Sequence, residues 1–120
     1  MNESEMKERT KNFALRILKL ADALPRTRSG NTIANQVVRS GSSVGANYRA
    51  LCRAKSRADF IHKTSVVEEE ADETAFWLEL IITAKLLRAT RIKPLLQEAD
   101  ELTAIAVATR KTASSRKQLQ

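Results

Sequence analysis

The stretch Val37-Val38-Arg39-Ser40-Gly41-Ser42-Ser43-Val44-Gly45-Ala46-Asn47-Tyr48-Arg49 constrains the fold of this chain more than any other. Glycine and serine usually punctuate a chain as turns, and a turn here would cut the molecule near its middle. Placed on a helical wheel, at about 100° per residue, the same residues fall into three coherent stripes. Ile33, Val37, Val44, Tyr48 and Leu51 share one face, with Gly41 on the same line. Gln36, Ser40, Ser43, Asn47, Ala50 and Ala54 form a small or polar second stripe. Arg39, Ser42, Ala46, Arg49, Arg53 and Arg57 form a third, opposite the apolar face. The stripes run through the glycines without a phase change, which predicts one helix over 31–57. Each glycine costs a helix interior about 1 kcal/mol relative to alanine, so close approach of another helix is the expected compensation. The alternative is a break at Gly41, with two shorter helices.

The rest of the chain is equally helical in pattern. Apolar residues at Met6, Phe13, Leu15, Ile17, Leu18, Leu20, Ala21 and Leu24 predict a helix over 5–24, with Ser4 as its cap and Pro25 as its stop. Ser56-Arg57-Ala58-Asp59 before Phe60 has the form of a capping box and opens a third helix over 59–89. At about 31 residues that helix would be about 46 Å long. Its second half, Ala75 to Ile82, is apolar almost all round, which calls for a partner beyond the domain, most simply another copy of the chain. Phe13, Phe60, Phe76 and Trp77 are assigned to core positions. A fourth helix is expected over 93–111, with Pro94 in its first turn, where a missing N–H does no harm. Residues 112–120 are polar and basic, and are expected to be a flexible tail. Only three glycines and two prolines occur, and no strand-like alternation is sustained. The expectation is therefore all-α: one domain over 1–120, an antiparallel up-down-up-down four-helix bundle.

Several chemistries find no support. Cys52 is the single cysteine, so no intrachain disulfide can form, which favours the cytoplasm. No apolar run approaches the roughly 20 residues of a membrane span. There is no P-loop, no G-x-G-x-x-G and no G-x-S-x-G elbow. His62, the only histidine, does not follow a glutamate by three residues, so the Glu-x-x-His pattern of bundle metal sites is absent. No cofactor or metal is expected.

Charge is the remaining signal. The chain carries a formal net charge of +7. Residues 25–57 hold seven basic and no acidic groups, whereas residues 58–90 hold three basic and seven acidic. Arg26, Arg28, Arg49, Arg53 and Arg57 are the candidates for gripping a phosphate backbone. The bland alternative is a solvated face, or pairing with the acidic third helix. Counting back from the turn between helices two and three places Arg39, Ser43 and Asn47 beside Glu70 and Glu73, on a sector taken to look inward with Val66, Trp77, Leu80 and Ala84. A buried carboxylate needs donors, and these residues supply them. A structural polar network is the preferred meaning of this cluster; a catalytic or metal site is the competing one.

The run Arg39-Ser40-Gly41-Ser42-Ser43-Val44-Gly45-Ala46-Asn47-Tyr48-Arg49, then Asp59-Phe60-Ile61, then Glu70-Ala71-Asp72-Glu73-Thr74 with Trp77-Leu78-Glu79-Leu80, resembles a known family over roughly residues 8 to 110. It is similar to the four-helix bundle proteins first met in insertions within 23S ribosomal RNA genes, the intervening-sequence proteins. The most specific part is R-S-x-S-S-x-x-A-N followed by E-x-x-E. The resemblance implies a bacterial protein that forms a ring-shaped homopentamer with a basic surface, and an RNA or DNA partner. A related accessory protein of diversity-generating retroelements binds a reverse transcriptase and nucleic acid. The expected function is thus a non-enzymatic nucleic-acid-binding or accessory oligomer. The second hypothesis is a scaffold for an acidic protein partner, such as a reverse transcriptase or ribonucleoprotein component. An enzyme using Glu70 and Glu73 ranks third.

Overall fold

The computed structural model of the protein describes residues 1–119, which form four helices: α1 (Glu3–Ala23), α2 (Arg28–Leu51), α3 (Arg57–Thr83) and α4 (Ala89–Leu119). Each helix buries residues spaced by threes and fours. On α1 they are Met6, Thr10, Phe13, Ile17 and Leu20; on α3, Thr64, Val67, Ala71, Thr74, Leu78 and Ile81, with Ala75 buried beside them. On α4 the run is Ile92, Leu95, Ala99, Leu102 and Ala106. This is the seam spacing of a helical bundle, in which one stripe per helix meets the common core. Among the described residues no helix is long and apolar enough to cross a membrane.

Consecutive helices pack against each other and run antiparallel. Gly41 lies against Ile17 and Gly45 against Thr10, so α2 descends as α1 rises. Arg110 of α4 reaches Glu68 of α3, while Thr112 and Ala113 flank Phe60 further along. The α1–α4 seam is looser; there Arg9 bridges to Glu98 (Nε to Oε2, 2.8 Å) and Glu101 (Nη2 to Oε1, 3.2 Å).

α2 is unbroken through both glycines, which excludes the break at Gly41. The compensation comes from α1: a Cβ at Gly41 would sit 2.9 Å from Ile17 Cγ1. Facing α3, Ser40 is fully buried, with its Oγ 2.9 Å from Thr74 Oγ1. Each of these hydroxyls also lies within hydrogen-bond reach of a carbonyl four residues earlier, Gln36 or Glu70, so neither is orphaned in the core.

The helix ends depart from expectation for local reasons. Asn2, not Ser4, caps α1, its side chain accepting from the Glu5 N–H. Thr27 caps α2 by accepting from the Gly30 N–H, so Gly30 belongs to the first turn rather than to the loop. α2 stops at Leu51 rather than Arg57, because Ser56 and Asp59 form the next cap: Ser56 Oγ accepts from the Asp59 N–H and Asp59 accepts from the Lys55 N–H. α4 starts at Ala89, which puts Pro94 inside the helix. The Thr90 carbonyl thereby loses its usual i+4 donor, and both residues are exposed, so water can serve it. α4 runs past the expected bound of 111 to Leu119, through residues assigned to the tail, with Ala113 half-buried beside Phe60; Gln120 lies outside the described residues.

Two core assignments are corrected. The buried run on α3 is 64, 67, 71, 74, 78 and 81, with Ala75 beside it, so Val66, Glu70, Glu73, Trp77 and Leu80 sit on its half-buried flank and not in the core. Phe76 is 53% exposed, with its ring edge-on to Trp77 at 5.0 Å between centroids.

Candidate nucleic-acid interface

Antiparallel packing carries the α1–α2 and α3–α4 connections to the same end of the bundle. Residues 25–57 contain no acidic side chain, and neither do residues 83–97. Folding therefore gathers Arg26 and Arg28 with Lys85, Arg88, Arg91 and Lys93. All six are exposed, and none is ion-paired among the described residues. Lys85, Arg88 and Arg91 line a recess of about 510 Å³ together with Leu86, Leu87 and Thr90.

The turn that builds this cap is specific. α3 ends in a Schellman motif: the Leu86 N–H donates to the Ile81 carbonyl and the Lys85 N–H to the Ile82 carbonyl, each at 3.0 Å. The position that closes such a motif takes a left-handed conformation, and glycine usually fills it. Here Lys85 does, at φ 56°. A side chain in that region costs about 1–2 kcal/mol, and strain of this kind clusters where a side chain has a use.

The sequence candidates do not come together as one patch. Arg28 and Arg49 lie near opposite ends of α2, about 31 Å apart at 1.5 Å per residue. Arg49 and Arg53 are exposed at the far end, one turn apart. Arg57 is no part of the α2 stripe; it opens α3 half-buried, with Nη1 sealed from solvent and without a hydrogen-bond partner. Sequence reasoning missed Lys85, Arg88, Arg91 and Lys93, whose signal was the acid-free run read together with the antiparallel order of helices.

Arg39 serves α3 instead. Its guanidinium donates to Glu73 Oε2 through Nη2 and lies 3.4 Å from Glu70 Oε2 through Nη1, while Nε donates to Gln36. Trp77 Nε1 donates to the same Glu73 oxygen at 2.9 Å. Both carboxylates are thus engaged by donors on a half-exposed flank. The expected tie from Asn47 does not form: its amide donates to the Ser43 carbonyl of its own helix at 2.8 Å. Asn47 and Ser43 lie at about the right height, yet among the described residues no hydrogen bond joins either to Glu70 or Glu73. The physical reason is that a helix carbonyl four residues back is always within reach of a short amide, whereas the neighbouring helix is not. His62 is exposed. Among the described residues no three His, Cys, Asp or Glu side chains are placed to hold a metal.

At the end away from the cap, Tyr48 and Cys52 line a cavity of about 560 Å³ with Met6, Leu51, Phe60 and Ile105. Burial raises the Cys52 thiol above its ordinary value, so it stays protonated and a poor nucleophile near neutrality. Burial, helped by the contact with Cys52, pushes the Tyr48 phenol up to about 12. The neutral phenol is therefore favoured by the fold. Its contribution to stability is complete below the unfolded value of 10.0 and is lost as pH rises through the folded value. Since Tyr48 is the only tyrosine, ultraviolet titration should show phenolate absorbance appearing near pH 12 in the folded protein and near pH 10 in urea.

Comparison with known proteins adds to this geometry. The family model described as "23S rRNA-intervening sequence protein" matches residues 2–108. A crystal structure of a protein of unknown function from Bacteroides thetaiotaomicron, assigned to the S23 ribosomal protein family, is 32% identical. It superposes with a TM-score of 0.84, over 92% of this chain and 99% of that one. No curated protein matches.

Proposed function

Since the chain belongs to the 23S rRNA-intervening sequence protein family, we propose that it is a non-enzymatic basic bundle protein of the cytoplasm. It assembles with copies of itself, five in a ring as the family resemblance implies, and binds the phosphate backbone of RNA or DNA. The observation that carries this reading is the cap of exposed cations Arg26, Arg28, Lys85, Arg88, Arg91 and Lys93, in which none is ion-paired among the described residues. Unpaired cations gathered at one end repel one another, and an anionic polymer relieves that repulsion while releasing its own counterions. Arg49 and Arg53 form a smaller second site at the far end. Few aromatic rings are free to stack on bases, so binding is expected to follow charge rather than sequence.

A gel-shift titration with RNA and DNA at increasing salt tests this. Six phosphate contacts on duplex DNA would give a slope of about −5 in log K against log salt. Unchanged mobility at low salt and micromolar protein would sink the proposal. An acidic protein partner is the second reading, supported by the same exposed cations; capture that survives nuclease treatment would favour it. Lys85 gives a finer test. Lys85→Gly relieves the left-handed strain and should raise stability by about 1 kcal/mol, while removing one cation and so weakening nucleic-acid binding. Opposite signs in a urea melt and a binding titration are the expected result.

A further inference from the structure

Apart from Met1, the exposed large apolar side chains of the described residues fall on two helices: Leu15 (49% exposed) and Leu18 (44%) on α1, and Phe76 (53%) on α3. These helices do not pack against each other; both lie against α2. The two patches therefore belong to different faces of the bundle.

Their surroundings carry opposite charge. Residues 11–19 contain Lys11, Arg16 and Lys19 and no acid, although Glu8 pairs with Lys11 and Asp22 lies one turn beyond Leu18; Leu15, Arg16 and Lys19 line one side of a groove that Glu5, Glu8 and Glu98 also border. Residues 64–84 contain six acids and no base. Of these, Glu69, Asp72 and Glu79 are exposed, and Asp72 and Glu79 lie within one turn of Phe76.

The patches also sit at similar heights. Ile17, between Leu15 and Leu18, lies against Gly41. Next to Gly41, Ser40 meets Thr74 across the α2–α3 seam. Phe76 is two residues further along α3, which puts it about 3 Å above Leu18 and about 8 Å above Leu15 at 1.5 Å per residue.

We propose that the α1 face of one copy docks on the α3 face of the next. Leu15 and Leu18 cover Phe76, and Lys11, Arg16 and Lys19 meet Glu69, Asp72 and Glu79. Such a contact is heterologous, joining two different surfaces, so it either closes into a ring or grows into a filament. A small offset along the bundle, beside its long axis of 52 Å, favours rotation with little rise, which closes. The proposal rests on the self-association in the reading above and adds the surfaces that mate.

The test is disulfide trapping in a Cys52→Ser background, with light scattering of the unmodified protein alongside. Leu18→Cys with Phe76→Cys should cross-link into a ladder that ends at the size of the closed assembly, whereas either cysteine alone should not cross-link. Dimers from a single cysteine would mean that a face meets itself, and would overturn the proposal. An oligomeric protein whose double-cysteine form does not cross-link would overturn the docking and leave self-association standing. A monomeric protein would overturn both. Phe76→Glu provides the check on folding, since the residue is exposed: retained helicity with a mass falling to the monomer supports the interface, and retained helicity with an unchanged mass refutes it.

Discussion

The double substitution Arg88→Glu/Arg91→Glu should lower affinity for RNA and DNA by at least tenfold at low salt and flatten the salt dependence by about two contacts. Both residues flank the recess at the α3–α4 turn, are exposed and are not ion-paired among the described residues. Reversal does more than delete two cations, because it places two anions beside the remaining cations of the cap. The fold should survive, since neither side chain supports the core: Ile92 and Leu95 do that work on the adjacent turn. The matched control is Arg39→Gln. Arg39 is occupied by Glu70 and Glu73, so its loss should leave binding nearly unchanged. A double variant that binds as well as the unmodified protein, or an Arg39→Gln protein that loses binding equally, would move the interface elsewhere.

Gly30→Ala should be the most destabilising of the single glycine changes, at about 2–3 kcal/mol. Gly30 sits in the first turn of α2, its N–H donated to Thr27 Oγ1. A Cβ there would overlap the carbonyl oxygen of Pro25. That oxygen is backbone in a short connection, and the preceding Leu24 is buried, so the loop cannot step aside without disturbing the core. Alanine gains about 1 kcal/mol in helix propensity, too little to offset the overlap. Gly45→Ala is the informative contrast. Its Cβ would meet Thr10 Oγ1 at 3.3 Å and the Thr10 carbonyl oxygen at 3.4 Å, so the propensity gain and the crowding should nearly cancel. Urea denaturation of both proteins measures the difference, and equal midpoints would contradict the account.

What the sequence disclosed depended on distance along the chain. Periodicity is local, so the unbroken helix through Gly41 and Gly45 could be read from the wheel, as could the Ser56–Asp59 cap. The proximity of Arg39 to Glu70 and Glu73 followed from counting through one turn. Other features depend on choices that composition does not advertise. Lys85 in a left-handed turn is silent in a sequence, because only glycine signals that conformation openly. Asn47 met its acceptor on its own helix, where the Ser43 carbonyl is within reach and the neighbouring helix is not. Phe76 has the hydrophobicity of a core residue and was assigned there, although the buried run on α3 leaves it outside. The cationic cap joins segments near residues 26 and 88, and only the antiparallel order of the helices makes them neighbours.

The looseness of the α1–α4 seam bears on the order in which the molecule opens. α3 is clasped along its length by α2 and α4, whereas α1 rests on α2 and reaches α4 at few points. Local opening follows such differences in contact density. The amides of α1 should therefore exchange with solvent sooner than those of α3, as a cooperative unit peeling from the α2 glycines. Docking of a neighbouring copy on Leu15 and Leu18 would press α1 down from its other side. Protection of the first helix would then rise with protein concentration, making its exchange rate a gauge of assembly.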